Sequence, residues 1–231
     1  MRTAAVLPVK RFAHAKRRLG ASVADPLRLE LARAMVADVL AALAQTNLIA
    51  TTIVVTCESS VAVTAHEQGA IVIADSAESG QPAAAMLGVA RALTDGFERV
   101  LCVPGDCPAL DPVELEALLD APGGALPHSP EVVIVPDRHG SGTNGLLLSP
   151  PDAIAPAFGP NSCERHQALA HAAGVRSRIE RPSSLLLDID TGADLDALRR
   201  LLAGHSARAK RTRTVLGQSE RTGALSITTS V

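Results

Sequence analysis

Gly140-Ser141-Gly142-Thr143-Asn144-Gly145, followed by Leu146-Leu147-Leu148-Ser149-Pro150-Pro151, is the stretch on which the fold turns. The first six residues match G-x-G-x-x-G literally, the glycine pattern of a dinucleotide-binding loop. That pattern works only where it follows the first strand, opens a helix and is answered by an acid about 20 residues on. Here a leucine run stopped by two prolines follows, which reads as a strand, so the dinucleotide reading and a hydride-transfer function fail on context. What survives is a glycine-rich loop whose amides can approach an anion closely.

Outward from this loop, short β-rich runs alternate with helical patterns, the signature of a layered α/β domain with a largely parallel sheet. The pattern predicts strands at residues 4–9, 52–56, 70–74, 99–103, 132–136, 145–148 and 185–189. Val54, Val55, Val133, Ile134 and Val135 lie in near-continuous apolar runs, as strands covered on both faces require. Caps mark the helix starts. Asp25-Pro26 places an acceptor at the N-cap and a proline at the first helical position, and opens a helix through about Leu43. Asp111-Pro112-Val113-Glu114 repeats the pattern with a capping-box carboxylate, and Asn161…Glu164 and Thr191…Asp194 have similar spacing. Residues 121–130 are loop by composition, and no internal repeat is present. The pattern stops at about Gly204. Residues 1–204 therefore read as a single domain, and residues 205–231, basic and polar with no apolar face, as a disordered tail.

The 231 residues suffice to bury a core, and with 47% hydrophobic residues but only 3 Phe and no Tyr or Trp, that core is aliphatic. Stacking on nucleic-acid bases is a poor fit to such a composition. No apolar run approaches the roughly 18 residues of a membrane span, and the start is too short and too broken by Pro8 for a signal peptide, so the reading is a soluble, cytoplasmic protein. Cys57, Cys102, Cys107 and Cys163 show neither a C-x-x-C pair nor a histidine spacing suited to zinc, and read as small apolar residues in a reducing compartment. The net charge of −2 conceals segregated blocks: +6 over residues 1–18, −12 over residues 19–204 and +4 over residues 205–231. Such asymmetry can mark a polyanion site or a basic tail.

Four segments could carry chemistry. Pro8-Val9-Lys10-Arg11 and Lys16-Arg17-Arg18 follow the first strand, where ligands of open α/β sheets bind, and suit a nucleoside triphosphate; an ordinary solvated basic loop is the plain alternative. Asp106, in Val103-Pro104-Gly105-Asp106-Cys107-Pro108, leaves a buried strand with its backbone pinned by Pro and Gly. It suits a hard divalent cation, or serves only to form its own turn. Asp188-Ile189-Asp190 puts two carboxylates on one face of a strand, where a cation would relieve their repulsion, while Thr191 caps the next helix. Phe158-Gly159-Pro160-Asn161-Ser162-Cys163 offers free N–H groups and the Ser162 hydroxyl at a helix N-terminus, a second anion loop to pair with the first. No nucleophile elbow and no G-x-x-x-x-G-K-[ST] loop is present.

Taken in order, Pro8-Val9-Lys10 with Ala15-Lys16 and Arg18-Leu19, Asp106 in a V-P-x-D-x-P-A-L context, Pro136-Asp137-Arg138-His139-Gly140 with Gly142-Thr143-Asn144, Phe158-Gly159-Pro160 with Ser162 and Arg165-His166, and Asp188-Ile189-Asp190-Thr191 resemble one family. It is that of the guanylyltransferases which activate 2-phospho-L-lactate or phosphoenolpyruvate in biosynthesis of the deazaflavin coenzyme F-420. The resemblance runs from about Ala4 to Leu202 and leaves out the tail. It implies a three-layer Rossmann-like nucleotidyltransferase fold, magnesium, and GTP as donor to a phosphorylated three-carbon acid, with pyrophosphate released. It implies an acceptor site at Thr143, Gly159 and Ser162, with Arg138 or His139 for the carboxylate. Asp106, with Asp188 or Asp190, would hold the metal, and Pro8, Lys10, Lys16, Arg18 and Gly80 the nucleotide. Partners implied are these substrates, the next enzyme of the pathway and at most further copies of the chain, with no nucleic acid or membrane. Two departures stand out: the family's G-L-N after the third strand reads Gly80-Gln81-Pro82, and Arg17 replaces a small polar residue. Rival classes are a nucleotidyltransferase acting on a molybdenum cofactor or sugar phosphate, and a nucleotide-binding regulatory module without turnover.

Overall fold

The computed structural model describes residues 1–14, 19, 23–121, 129–204 and 207–222. In chain order the elements are β1 (Thr3–Val9), α1 (Asp25–Ala44), β2 (Ile49–Thr56), α2 (Ser59–Glu67), β3 (Ile71–Ala74), α3 (Gln81–Thr94), β4 (Arg99–Cys102), α4 (Pro112–Asp120), β5 (Glu131–Pro136), β6 (Thr143–Ser149), α5 (Ser162–Ala172), β7 (Arg176–Ile179), α6 (Gly192–Ala203) and α7 (Lys210–Thr222). The seven strands form one sheet in the order β3-β2-β1-β4-β6-β5-β7. β1 runs parallel to β2 and β4, and β6 alone runs against its neighbours β4 and β5.

Alternation along the strands sends successive side chains to opposite faces. Leu7, Val54, Leu101, Val133 and Leu147 bury one face against α1, α2 and α4. Val6, Ile53, Val100, Ile134 and Leu148 bury the other among side chains of α3 and α5. The result is the expected three-layer α/β arrangement, with an aliphatic core. Helix α3 can lie close on β1 because residue 88 is glycine: a Cβ there would come within 2.3 Å of Val6 Cγ1.

Four readings of local structure are corrected. Residues 185–189 form no strand; the chain turns at Leu185, whose N–H donates to the Pro182 carbonyl, and is tied to the loop after β4 where Ile189 N–H donates to the Asp106 carbonyl at 3.0 Å. The seventh strand is β7, whose Arg-Ser-Arg-Ile sequence carries little apolar signal because it is an edge strand; Arg176 and Arg178 pair there with Glu131. Asp25 is not the cap of α1: Ala24 holds that position and Asp25 pairs with Arg28. Asp111 does cap α4, accepting from Val113 N–H, but Glu114 bonds Ser183 and the Ser184 N–H rather than closing a capping box.

The segment after Gly204 is also corrected. Lys210–Thr222 is helix α7, packed along α1 with Ala209, Val215 and Leu216 buried beside Leu31 and Met35. Its start is fixed by the Asp38 carboxylate, which accepts from the N–H groups of Arg211 and Thr212 at 3.0 and 2.8 Å. An acid satisfying the first free N–H groups of a helix is favourable.

Candidate active site

The strand order reverses about β1: β2 and β3 lie to one side, β4 to the other. In open α/β sheets that reversal opens a crevice beyond the strands' carboxyl ends, and ligands bind there. Lys10 and Asp106 are delivered to this edge by β1 and β4, and Thr143 and Asn144 join them because β6 runs the other way. The chain at 185–190 then crosses over it. Asp106, Asp188 and Asp190 each offer an oxygen within 4.8 Å of the other two. Burial, and then the neighbouring Asp106 carboxylate, push the pKa of Asp188 above the ordinary range; hydrogen bonding to Asn144 works against the rise. Three carboxylates held this close fit a hard divalent cation that binds oxygen and leaves positions for phosphate and water.

Two residues unassigned at sequence level set these carboxylates. Asn144 is buried, and its Nδ2 donates to the Leu186 carbonyl at 3.2 Å and to Asp188 Oδ1 at 3.1 Å. Asp194 is buried at the start of α6; its Oδ2 accepts from Asp190 N–H, Thr191 N–H and the Thr191 hydroxyl, while Thr191 Oγ1 accepts in return from Asp194 N–H. Its Oδ1 lies 2.5 Å from Arg138 Nη2. Arg138 Nε also donates to His139 Nε2, so both residues expected at the acceptor's carboxylate are turned to other partners.

The glycine-rich loop differs from expectation as well. Asp137 Oδ1 accepts from the N–H groups of His139 and Ser141, and the Asp137 carbonyl takes that of Gly140. Two of the amides read as anion donors, those of Gly140 and Ser141, are thus used within the loop. The loop does present Thr143, and its Ser141 carbonyl takes the Cys163 N–H at the start of α5 at 3.1 Å. Gly159 there has φ 121° and Asn161 φ 55°, so the approach to α5 turns through left-handed backbone. Ser162 is buried and its Oγ has no hydrogen-bond partner among the described residues. A buried hydroxyl without a partner is costly in a protein that binds nothing beside it.

His166 lies one turn beyond Ser162 on α5, fully buried, with Nδ1 at 3.0 Å from Thr143 Oγ1. Burial, and then the Arg165 guanidinium, push its pKa down to about 4. The folded ring stays neutral where the unfolded ring, with a pKa of about 6.5, takes up a proton. Stability from this group is therefore fully present above about pH 6.5 and is lost as pH falls toward 4, by on the order of 3 kcal/mol. Denaturant midpoints at about pH 7 and 4.5 are expected to show a steeper acid loss in the native chain than in His166→Asn. Equal losses would show that the buried ring charges freely.

On the nucleotide side, Lys10 is exposed at the end of β1, and Arg11 pairs with Glu78 at 3.2 Å. Pro8 lies beside Val55 in the sheet. Gly80 stands at the N-cap of α3 with φ 100°, a conformation side chains rarely adopt. Buried Arg28 donates to the Phe12 carbonyl at 3.3 Å, and Glu58 Oε2 accepts the Phe12 N–H, so the start of the basic segment is anchored from both sides. Lys16, Arg17 and Arg18 lie outside the described residues.

Sheet and site together define a nucleotide-diphospho-sugar transferase fold. A solved protein of Desulfovibrio desulfuricans G20 described as such a transferase superposes with a TM-score of 0.70 at 18% identity, over 96% of each chain. The sequence goes further: the family described as guanylyl transferase CofC like matches residues 3–221, α7 nearly to its end included. Phosphoenolpyruvate guanylyltransferase of Conexibacter woesei is 49% identical over 222 residues, covering 96% of this chain and 98% of that protein. The protein of the same name in Sphaerobacter thermophilus is 39% identical over 206 residues, covering 89% and 95%. The chain belongs to the CofC-like guanylyl transferases, and is a nucleotidyltransferase. No helix among the described residues is long and apolar enough to cross a membrane.

Proposed function

We propose that the chain transfers GMP from GTP to the phosphate of a small phosphorylated three-carbon acid, phosphoenolpyruvate first among them, on the way to coenzyme F-420. The observation that carries this reading is the carboxylate triad Asp106, Asp188 and Asp190 at the switch-point edge that Thr143 also reaches. The printed names of the relatives supply the nucleotide and the acid. A phosphate oxygen of the acid attacks the α-phosphorus of GTP in line; the new P–O bond forms as the bond to the β-phosphate oxygen breaks, and pyrophosphate leaves with that electron pair. The nucleophile is already an anion, so no general base is needed, and the protein's work is to hold two polyanions together. Magnesium bound by Asp106 with Asp188 and Asp190 would supply the positive charge that offsets the charge developing on the phosphoryl oxygens. Lys10, with Lys16 and Arg18, holds the triphosphate, beside Pro8 and Gly80. Thr143, Gly159 and Ser162 receive the acceptor phosphate. The product, a guanosine diphosphate ester of the acid, is an activated group that a following transferase would consume.

Pyrophosphate release measured with GTP, magnesium and in turn phosphoenolpyruvate, 2-phospho-L-lactate and 3-phosphoglycerate, beside ATP and CTP, tests the reading. Release with GTP and phosphoenolpyruvate is expected to exceed that with ATP or CTP by at least about tenfold, the effect of a pair of base-specific hydrogen bonds. Absence of pyrophosphate with every acid, with GTP still bound, would favour a regulatory module instead.

A further inference from the structure

Both ring nitrogens of His166 are engaged, and their partners fix where its proton sits. The Ala157 N–H donates to Nε2 at 2.9 Å. A backbone N–H can only donate, so Nε2 carries no hydrogen and the neutral ring holds its proton on Nδ1. Nδ1 therefore donates to Thr143 Oγ1, 3.0 Å away. A hydroxyl that accepts in this way keeps its own hydrogen to give, and no described residue takes it from Thr143, which is itself buried. Ser162 and His166 are four residues apart on the buried side of α5, which sets the partnerless Ser162 hydroxyl on the face that meets Thr143. Two buried hydroxyls, Ser162 at the start of α5 and Thr143 at the start of β6, each with a hydrogen that no described residue accepts, are matched by an anionic oxygen and mismatched to a neutral group that must itself donate.

We infer that His166 is a positioning residue of the acceptor site: its Nδ1–H, held on Thr143 Oγ1, turns the Thr143 hydroxyl hydrogen onto the acceptor's phosphate. The inference rests on the acceptor assignment above. It makes Thr143 a donor, with Ser162 beside it, so a phosphate oxygen stripped of its protons is the ligand selected. His166 never touches the ligand and acts only through Thr143.

The test uses the full chain and the affinity for phosphoenolpyruvate by calorimetry, alongside KM for the acid and for GTP. His166→Phe keeps the ring's bulk and removes both nitrogens, while His166→Asn keeps an N–H near the Nδ1 position. His166→Phe is expected to weaken the acid's Kd by at least about tenfold, the worth of one hydrogen bond to a charged group, with KM for GTP changed less than about twofold. His166→Asn should stay within about threefold of the native chain, and His166→Phe added to Thr143→Val should cost nothing beyond Thr143→Val. Equal damage from Phe and Asn, multiplying losses in the double variant, or KM for GTP moving with that for the acid would each overturn the inference in favour of a packing role. Should His166→Phe fail to fold, His166→Gln replaces it: its amide reaches the Nε2 position, so Gln is expected to be weak where Asn is not, and equal affinities overturn the inference. A native chain that binds the acid without turnover removes the guanylyl-transfer reading and leaves this one to the Kd series. Turnover with an unchanged Kd across the series removes this one alone, and a native chain that does not bind the acid removes it too.

Discussion

Asp106→Asn is expected to lower kcat by about 10²- to 10³-fold at saturating GTP and acid while the melting temperature holds or rises slightly. The two halves of the result have one cause. The side chain lies beside Asp188 and Asp190, and its charge pushes the Asp188 pKa up. Without a cation that repulsion destabilises the fold, so an isosteric amide relieves it. The backbone contact of the loop, Ile189 N–H to the Asp106 carbonyl, does not involve the side chain and survives. With substrates bound, the same amide offers a neutral oxygen where an anionic one is needed to hold a divalent cation. Turnover measured across magnesium concentrations, beside a thermal melt without metal, checks both halves. Native-like kcat at millimolar magnesium would remove Asp106 from the metal site, and a fall in the melting temperature would show that its charge serves the fold.

Much of this architecture is legible in the residues because burial on both faces leaves a plain signature. The runs around Val54, Val100 and Ile134 read as strands since nothing polar interrupts them, and all three are central in the sheet. β7 escapes the same test. It needs only one partner, and its arginines are satisfied by Glu131 across the ladder, a relation between residues about 45 positions apart that no local window contains. The opposite error occurs at 185–189, where Leu185, Leu187 and Ile189 alternate like a strand. They are buried, Leu185 under the strand edges and Leu187 and Ile189 against α6, but their backbone is not in the ladder. Alternation reports which side chains are buried, not which N–H groups are paired.

The site shows the same division. Asp106, Asp188, Asp190 and Ser162 are visible as residue types suited to cations and anions, each next to a strand end or a helix start. What turns them into a site is tertiary and therefore silent in the sequence: Asn144 reaching Asp188, His166 reaching Thr143, Asp194 reaching across to Arg138. The glycine loop was legible in composition and not in its hydrogen bonding, because Asp137 takes the N–H groups of His139, Gly140 and Ser141. The tail misled for a related reason. Its Val215 and Leu216 are too few to announce an amphipathic helix, yet α1 buries them and Asp38 caps the turn that carries them.

Asp194→Ala is expected to destabilise the protein by about 2–4 kcal/mol and to raise the magnesium concentration for half-maximal turnover by about 10- to 100-fold. One carboxylate does several things at once. Its Oδ2 closes the cap of α6 with Thr191 and holds the Asp190 N–H at 3.1 Å, and its Oδ1 meets Arg138 at 2.5 Å. Loss of the cap alone costs about 1 kcal/mol. Breaking a buried ion pair costs more, yet Arg138 is 31% exposed and can turn its charge to solvent, which places the total below the full penalty for an uncompensated buried charge. The metal effect follows from Asp190: once its N–H is released, the backbone that carries that carboxylate loses its anchor on α6, and a triad that must stay within 4.8 Å against its own repulsion loosens. Arg138→Ala separates the two consequences. It leaves the cap and the Asp190 contact in place, so its magnesium requirement should rise by less than about threefold while it loses part of the stability. If Asp194→Ala bound magnesium as the native chain does while melting lower, Asp194 would be a helix cap only, and the triad's geometry would be set by Asn144 and the sheet edge without it.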